Sequence, residues 1–268
     1  MKQNKVYNRE AHPTNKEINS KINNKIENSK IKDTPLIKNR PVDYTDTTVI
    51  IPTLNEEPNI VKLIGLIKKY YPKISVMVAD DGSRDRTQEK AAMAGAFVIN
   101  RRHESIKGLT ASVLHAARLV QTKYLVVIDG DLQHPPERIG DIVQKLRDGY
   151  DIVVAVRVKV ASKWSFYRRV ESYIASLLGK IKLIKKPFPK SDLLSGFFGV
   201  RTSFFNAVYN QNRARFVPEG FKVLLDLLKS VPEHTKVAEI GYIFGIRTYG
   251  KTKISSKHVY YYLKSLAR

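Results

Sequence analysis

The sequence predicts an α/β protein: a mainly parallel, doubly wound sheet flanked by helices. Three observations carry that expectation. From Thr47 onward, short β-branched runs alternate with segments of helical period. The alternation continues to about Arg157, which is the signature of successive βαβ units. Polar clusters follow three of the strand-like runs directly, at the place where an open α/β sheet gathers its ligands.

In chain order, residues 1–46 are rich in Asn, Lys and Ile, with Ile18, Ile22, Ile26 and Ile31 isolated from one another, and read as a solvated tail or marginal helix. Thr48 to Ile51, Ser75 to Ala79, Ala96 to Asn100, Tyr124 to Ile128 and Asp151 to Val156 read as strands. Pro58 to Tyr70, Asp85 to Ala94, Lys107 to Val120 and Pro136 to Asp148 read as the helices between them. After Arg157 the alternation breaks. Ser162 to Lys190 holds a long helical pattern, and Leu194 to Val200, Gly220 to Lys229 and Lys236 to Ile246 read as a second group of strands and helices.

Composition narrows the function. With 268 residues, 43% of them hydrophobic, the chain can bury a sizeable core. The absence of cysteine excludes disulfides, a thiolate nucleophile and a thiolate zinc site, so a metal would take oxygen or imidazole ligands. Lys and Arg outnumber Asp and Glu by 47 to 25, a net +22, which calls for a polyanionic partner: nucleic acid, anionic lipid or a phosphate-rich substrate. No window reaches the roughly eighteen apolar residues of a spanning helix, and the start carries no apolar signal-peptide core. Membrane contact by these residues is therefore expected to be peripheral.

The three polar clusters are Pro52-Thr53-Leu54-Asn55-Glu56, Asp80-Asp81-Gly82-Ser83 and Asp129-Gly130-Asp131-Leu132-Gln133-His134. They would bring the carboxylates of Glu56, Asp80, Asp81, Asp129 and Asp131 to one crevice, which is tolerable only if their roles separate or a cation neutralises some of them. Asp129 and Asp131, one small residue apart, can both offer oxygens to a hard cation, and Gln133 can add a carbonyl oxygen. Gly130 lets a phosphate approach the backbone. Such a site suits Mg²⁺ or Mn²⁺ bridging a diphosphate. Each cluster alone is an ordinary turn or helix cap; three in register after three strands point to a nucleotide and metal crevice. His134 reads as orienting its loop rather than as a ligand.

Those clusters, with Asp129 through Pro136, Ser195-Gly196-Phe197, Glu219-Gly220-Phe221-Lys222-Val223, and Phe244 through Arg247 with Gly250 and Lys253, resemble glycosyltransferase family 2 between about Thr47 and Ser256. Within that family the chain is similar to the dolichol-phosphate mannose synthases and their polyprenyl-phosphate glucosyltransferase relatives. The resemblance implies a GT-A type, Rossmann-like catalytic domain over 47–246. It implies that Pro52, Leu54 and Glu56 help hold the nucleoside, with Ala79 and Asp81 near base and ribose. Asp129, Gly130, Asp131 and Gln133 would hold metal and diphosphate, with Asp129, Asp131 and Arg247 as the catalytic set. Arg157 and Arg247 would face phosphates, and Arg168, Ser172 and Lys253 would join Arg157 at the acceptor phosphate. GDP-mannose is the donor that the resemblance favours, a dolichyl or polyprenyl phosphate the acceptor, inversion at the anomeric carbon the outcome and the cytoplasmic membrane face the place. Two departures stand out: family members often continue into spanning helices, and Lys251-Thr252-Lys253 replaces a common Ser before the lysine.

The charge pattern agrees with a phosphate acceptor. A hydroxyl nucleophile needs a general base, whereas a prenyl phosphate is already anionic and needs cations. Residues 157–190 hold ten Lys or Arg against Glu171 alone, with Trp164, Tyr167, Val170, Ile174, Leu177, Leu178 and Ile181 on one helical face. That is the pattern of an amphipathic helix in a membrane interface. Residues 247–268 add six basic residues and Tyr260, Tyr261 and Tyr262, expected near headgroups. The alternatives are UDP-glucose as donor, a saccharide acceptor with Asp192 or Glu219 as base, a nucleotidyltransferase, and a basic nucleic-acid-binding protein. The last is disfavoured because an acid-lined crevice repels a phosphate backbone, so no nucleic acid is expected.

Overall fold

The computed structural model describes residues 43–160, 175–247, 249 and 256–268. Strand β1 (Thr47–Thr53) is buried along its whole length, as a central strand of a parallel sheet must be when helices cover both faces. Its side chains divide by pleat. Ile50 enters one core layer, while Val49 and Ile51 enter the other.

Around β1 the strands are β2 (Ser75–Asp80), β3 (Phe97–Asn100), β4 (Tyr124–Val127), β5 (Ile152–Val160), β6 (Phe198–Arg201) and β7 (Val237–Phe244), in the order β3-β2-β1-β4-β6-β5-β7. The helices are α1 (Glu57–Tyr70), α2 (Thr87–Met93), α3 (Leu109–Leu119), α4 (Ile139–Arg147), α5 (Thr202–Gln211), α6 (Val223–Ser230) and α7 (Ser256–Ala267), and 175–182 are also helical. Residues of α3, α5 and α6 fill one layer and those of α1 and α4 the other. From β1 the chain moves to β2 and β3 on one side, then crosses back to β4 on the other. That reversal leaves a crevice at the carboxyl ends of β1 and β4.

Every strand and helix expected before Arg157 is present to within a few residues. The arrangement beyond β4 differs from a simple parallel continuation. β6 lies between β4 and β5, antiparallel to both, and β7 pairs parallel with β5. The expected long helix over Ser162 to Lys190 falls partly outside the described residues; its described part ends at 182, ahead of Pro187 and Pro189, which cannot continue a helix. Helix α5 is an addition to the expected elements. At the other end, the fold starts before Thr47: the Tyr44 ring packs edge-on against Tyr71 at 4.7 Å, and Arg147 pairs with Asp46 at 2.7 Å.

Helix α7 docks by one face. Tyr262 and Ser265 are buried, and Ser265 Oγ donates to Asp226 Oδ1 at 2.5 Å, while the Lys229 ammonium lies 3.0 Å from the same carboxyl oxygen. A charge pair this deep is tolerated because its members are bonded to each other and to α7. Of the three tyrosines expected near headgroups, Tyr262 is therefore a core residue, while Tyr260 remains exposed.

Candidate active site

The loops after β1 and β2 are held to each other. Asn55, at φ 52°, donates its N–H to Ser83 Oγ at 2.7 Å and accepts from Arg84 N–H at 2.8 Å, and Glu56 N–H donates to Thr87 Oγ1 at 2.9 Å. Asn tolerates this left-handed backbone better than most side chains. Pro52 and Ala79 face each other across β1 and β2 and are buried. Leu54 is exposed. The loop after β4 meets the same place: a Cβ on Gly130 would lie 3.3 Å from Glu56 Cγ and 3.4 Å from Thr53.

The five expected carboxylates separate by role. Asp80 is fully buried and accepts from Thr53, Ser83 and Gln88, so it is a brace between loops. Asp81 accepts Gly108 N–H at 2.7 Å and pairs with Arg101 at 3.2 Å; burial raises its pKa against these partners. Gly108 has φ 146°, and a Cβ there would strike Pro218 O at 2.6 Å, so only glycine fits. The first amides of α3 then donate to the facing loop, Thr110 N–H to Gly220 O and Ala111 N–H to Pro218 O. Asp81 thus fixes the start of α3, and α3 fixes the Glu219-Gly220-Phe221-Lys222 stretch.

Glu56 accepts from the Asn59 amide at 2.9 Å at the start of α1. Asp129 and Asp131 remain, and their environments push them apart. Burial favours the neutral acid at Asp129, but the hydrogen bond and charge of His134, with Lys222 and Arg247, outweigh it and hold the carboxyl below its usual range. Burial and the Asp129 charge raise Asp131. His134 Nε2 lies 3.0 Å from Asp129 Oδ2, and its Nδ1 lies 2.9 Å from the Tyr242 hydroxyl. Phe197, Tyr242 and Phe244 surround the ring. With both nitrogens engaged, His134 aims Asp129, as its sequence position suggested.

Asp129 Oδ1 is buried and has no hydrogen-bond partner, a costly state for a carboxylate oxygen unless a ligand or cation meets it. Asp131 Oδ2 accepts from Arg247 at 2.5 Å, and Arg247 Nε reaches Gln133 Oε1 at 3.4 Å. Gly245 N–H donates to Gln133 O, and the Gln133 amide donates back to Gly245 O, so the end of β7 is stapled to the acidic loop. Leu132 takes φ 63° in this loop, a local strain of the kind found at working sites. Among the described residues no three His, Cys, Asp or Glu side chains group as a metal cage. Two carboxylates and one amide suit a Mg²⁺-like ion completed by substrate phosphates.

The cations come from the second half of the chain. Arg157, in β5 at a register shift against β7, is clasped by Asp192 through Nε at 2.6 Å and a terminal nitrogen at 2.9 Å. This ties up both oxygens of Asp192. Glu219 Oε1 lies 3.6 Å from Lys264 of α7. Gly196 explains its motif, because a Cβ there would collide with both carboxylate oxygens of Asp129. Lys222, in the 219–223 motif, carries no local signal of a role; the fold brings it into the same field, where burial and Arg157 draw its ammonium down to about 8 against Asp129 and Asp192. Arg168, Ser172 and Lys253 lie outside the described residues.

Comparison with known proteins agrees. The family model described as "Glycosyl transferase family 2" matches residues 48–209. A dolichol-phosphate mannosyltransferase of Pyrococcus furiosus is 35% identical over 230 residues, 82% of this chain and 62% of that longer protein. One from Saccharomyces cerevisiae is 31% identical over 237 residues, 82% of this chain and 85% of that protein. In fold, the chain is similar to glucosyl-3-phosphoglycerate synthase of Mycobacterium tuberculosis, solved with Mn²⁺, UDP-glucose and glycerol 3-phosphate (TM-score 0.55, 18% identity, 82% of this chain and 77% of that one). The acidic loops stand at the reversal of a GT-A sheet and the motif matches run through them, so this chain is a glycosyltransferase and belongs to glycosyl transferase family 2.

Proposed function

We propose that the protein transfers mannose from GDP-mannose to a dolichyl or polyprenyl phosphate, with inversion and with a divalent ion, at the cytoplasmic face of a membrane. One observation carries the reading. The unpartnered Asp129 Oδ1 and its neighbour Asp131 offer oxygens to a cation and a donor diphosphate, and the second half of the chain brings Arg157, Lys222 and Arg247 into the same field. Of the two base candidates, Asp192 is held by Arg157 through both oxygens, and Glu219 lies 3.6 Å from Lys264 through Oε1 with its Oε2 unpartnered. A phosphate nucleophile needs no base, and cations are what it does need.

Asp129, Asp131 and Gln133 would hold Mg²⁺ or Mn²⁺, which when bound stabilises the charge on the leaving diphosphate. Pro52, Leu54, Glu56, Ala79 and Asp81 shape the nucleoside end. Arg247 would meet the diphosphate, a role supported by its bonds to Asp131 and Gln133. The acceptor phosphate oxygen forms its bond to the anomeric carbon as the bond to the nucleoside diphosphate breaks, and no proton is transferred in that step. Arg168, Ser172 and Lys253 are proposed at the acceptor phosphate on the resemblance alone.

No helix among the described residues is long and apolar enough to cross a membrane. Leu177, Leu178, Ile181 and Ile184 are exposed, Ile184 by 73%, and the lysines 180, 182 and 185 beside them are exposed too. Apolar side chains ringed by lysines suit an anionic bilayer surface, where each basic residue contributes about 1 kcal/mol.

The test is a donor screen with bilayer-embedded polyprenyl phosphate, with and without Mn²⁺ or Mg²⁺, and with analysis of both products. Mannosyl lipid plus GDP is expected. Transfer only from UDP-glucose would replace the donor, transfer only to an oligosaccharide would replace the acceptor, and release of pyrophosphate would overturn sugar transfer.

A further inference from the structure

We propose that Lys222 binds the acceptor's phosphate group directly; this rests on the transfer reading above and adds a residue to its acceptor side. Among the described residues, the only hydrogen-bond acceptor given to the Lys222 ammonium is Leu194 O, at 2.9 Å. An ammonium has three N–H donors, so two are left for a ligand. The Phe221 ring lies beneath it at 4.6 Å.

Its surroundings decide which ligand. Lys222 shares a field with Asp129, Arg157 and Asp192. Arg157 is already clasped by two bonds from Asp192. Lys222 has no such clasp, and Leu194, which it does bind, is two residues from the glycine that abuts Asp129. A cation so placed, in the field of the carboxylate proposed to meet the donor diphosphate, can gather a second phosphate and suppress repulsion between the two. Burial and Arg157 draw the ammonium down to about 8, and an arriving dianion would offset that penalty.

The placement is built in. Lys222 ends the loop whose Pro218 and Gly220 carbonyls cap α3, and Val217 at its start donates its N–H to buried Asp226 at 3.0 Å. On the far side, the Phe221 ring meets His258 of α7 edge-on at 5.2 Å. Three elements therefore fix the side chain's base while its tip keeps donors to spare.

The experiment compares wild type, Lys222→Met and Lys222→Arg, each checked for an unchanged melting temperature. Calorimetry measures binding of a short-chain prenyl phosphate, the matching prenol and inorganic phosphate in the presence of GDP, and of GDP alone. Lys222→Met should weaken prenyl phosphate by roughly tenfold, as for loss of a hydrogen bond to a charged group. Lys222→Arg should recover most of it, and GDP and prenol should be unaffected. Parallel weakening of inorganic phosphate means that the headgroup alone suffices; weakening of prenyl phosphate only means that the lipid chain must dock first. Either supports the proposal. Unchanged prenyl phosphate binding, or an equal loss of GDP binding, overturns it. Should wild type bind prenyl phosphate through Lys222 yet transfer no sugar, the transfer reading fails and the assignment of Lys222 stands.

Discussion

The two halves of the crevice are assembled by different means. The acidic half is made of loops that follow β1, β2 and β4 and bond to one another within the sheet: Asn55 to Ser83, Thr53 to Asp80, Glu56 to Thr87. The cationic half is gathered from far apart. Arg157 lies in β5, Lys222 ahead of α6 and Arg247 after β7; Arg157 and Lys222 share a field, and Arg247 reaches Asp131 where Gly245 is stapled to Gln133. A donor carrying a diphosphate and a metal needs preset acids. An acceptor that brings its own charge needs only cations in range. The difference teaches that damage to the acidic half should abolish turnover, while loss of Lys222 from the cationic half should act first on binding of the acceptor.

The largest effect expected is at the acids. Asp131→Ala or Asp129→Asn should lower kcat by on the order of 10²–10³ in a saturating transfer assay, with little change in melting temperature. Retention of turnover would break the comparison at its root. Next is Gly196→Ala, which pushes Asp129 off its position and should cost about 10² in kcat while leaving acceptor KM near its wild-type value.

His134→Gln removes the group that aims Asp129 and should weaken Mn²⁺ binding about 10–100-fold in a calorimetric titration with GDP. No change there would mean that Asp129 is set by the backbone alone. A pH series sharpens the other half. Burial and Arg157 lower Lys222 to about 8 from 10.5, so kcat/KM for the prenyl phosphate should fall as pH rises through about 8, and the fall should vanish in Lys222→Arg. The sign for stability is opposite. The folded protein releases this proton before the unfolded chain does, so stability gains from this group as pH rises from about 8 towards 10.5.

The smallest effect concerns the exposed apolar patch. Ile181→Glu with Ile184→Glu should lower partitioning onto anionic vesicles several-fold in a sedimentation assay, with turnover on a short soluble acceptor little altered. Equal partitioning would move the membrane contact elsewhere on the chain.

By itself the sequence determined what depends on local period and local chemistry. Alternating β-branched runs and helical stripes set the strands and helices up to Arg157, and the polar clusters after three of those strands marked the crevice, because side-chain period and turn chemistry act over a few residues. Tertiary structure decided which acids brace the loops and which keep an oxygen unpartnered: Asp80 and Asp81 are taken up by the partners that the fold brings to them, and Asp129 Oδ1 is not. It also decided the antiparallel place of β6, the burial of Tyr262 among outwardly similar tyrosines, and the bond of Lys222 to Leu194 O, two residues from the glycine that abuts Asp129. Those outcomes rest on contacts between residues distant in the chain, where the packing of the whole selects one pairing and no local pattern records the choice.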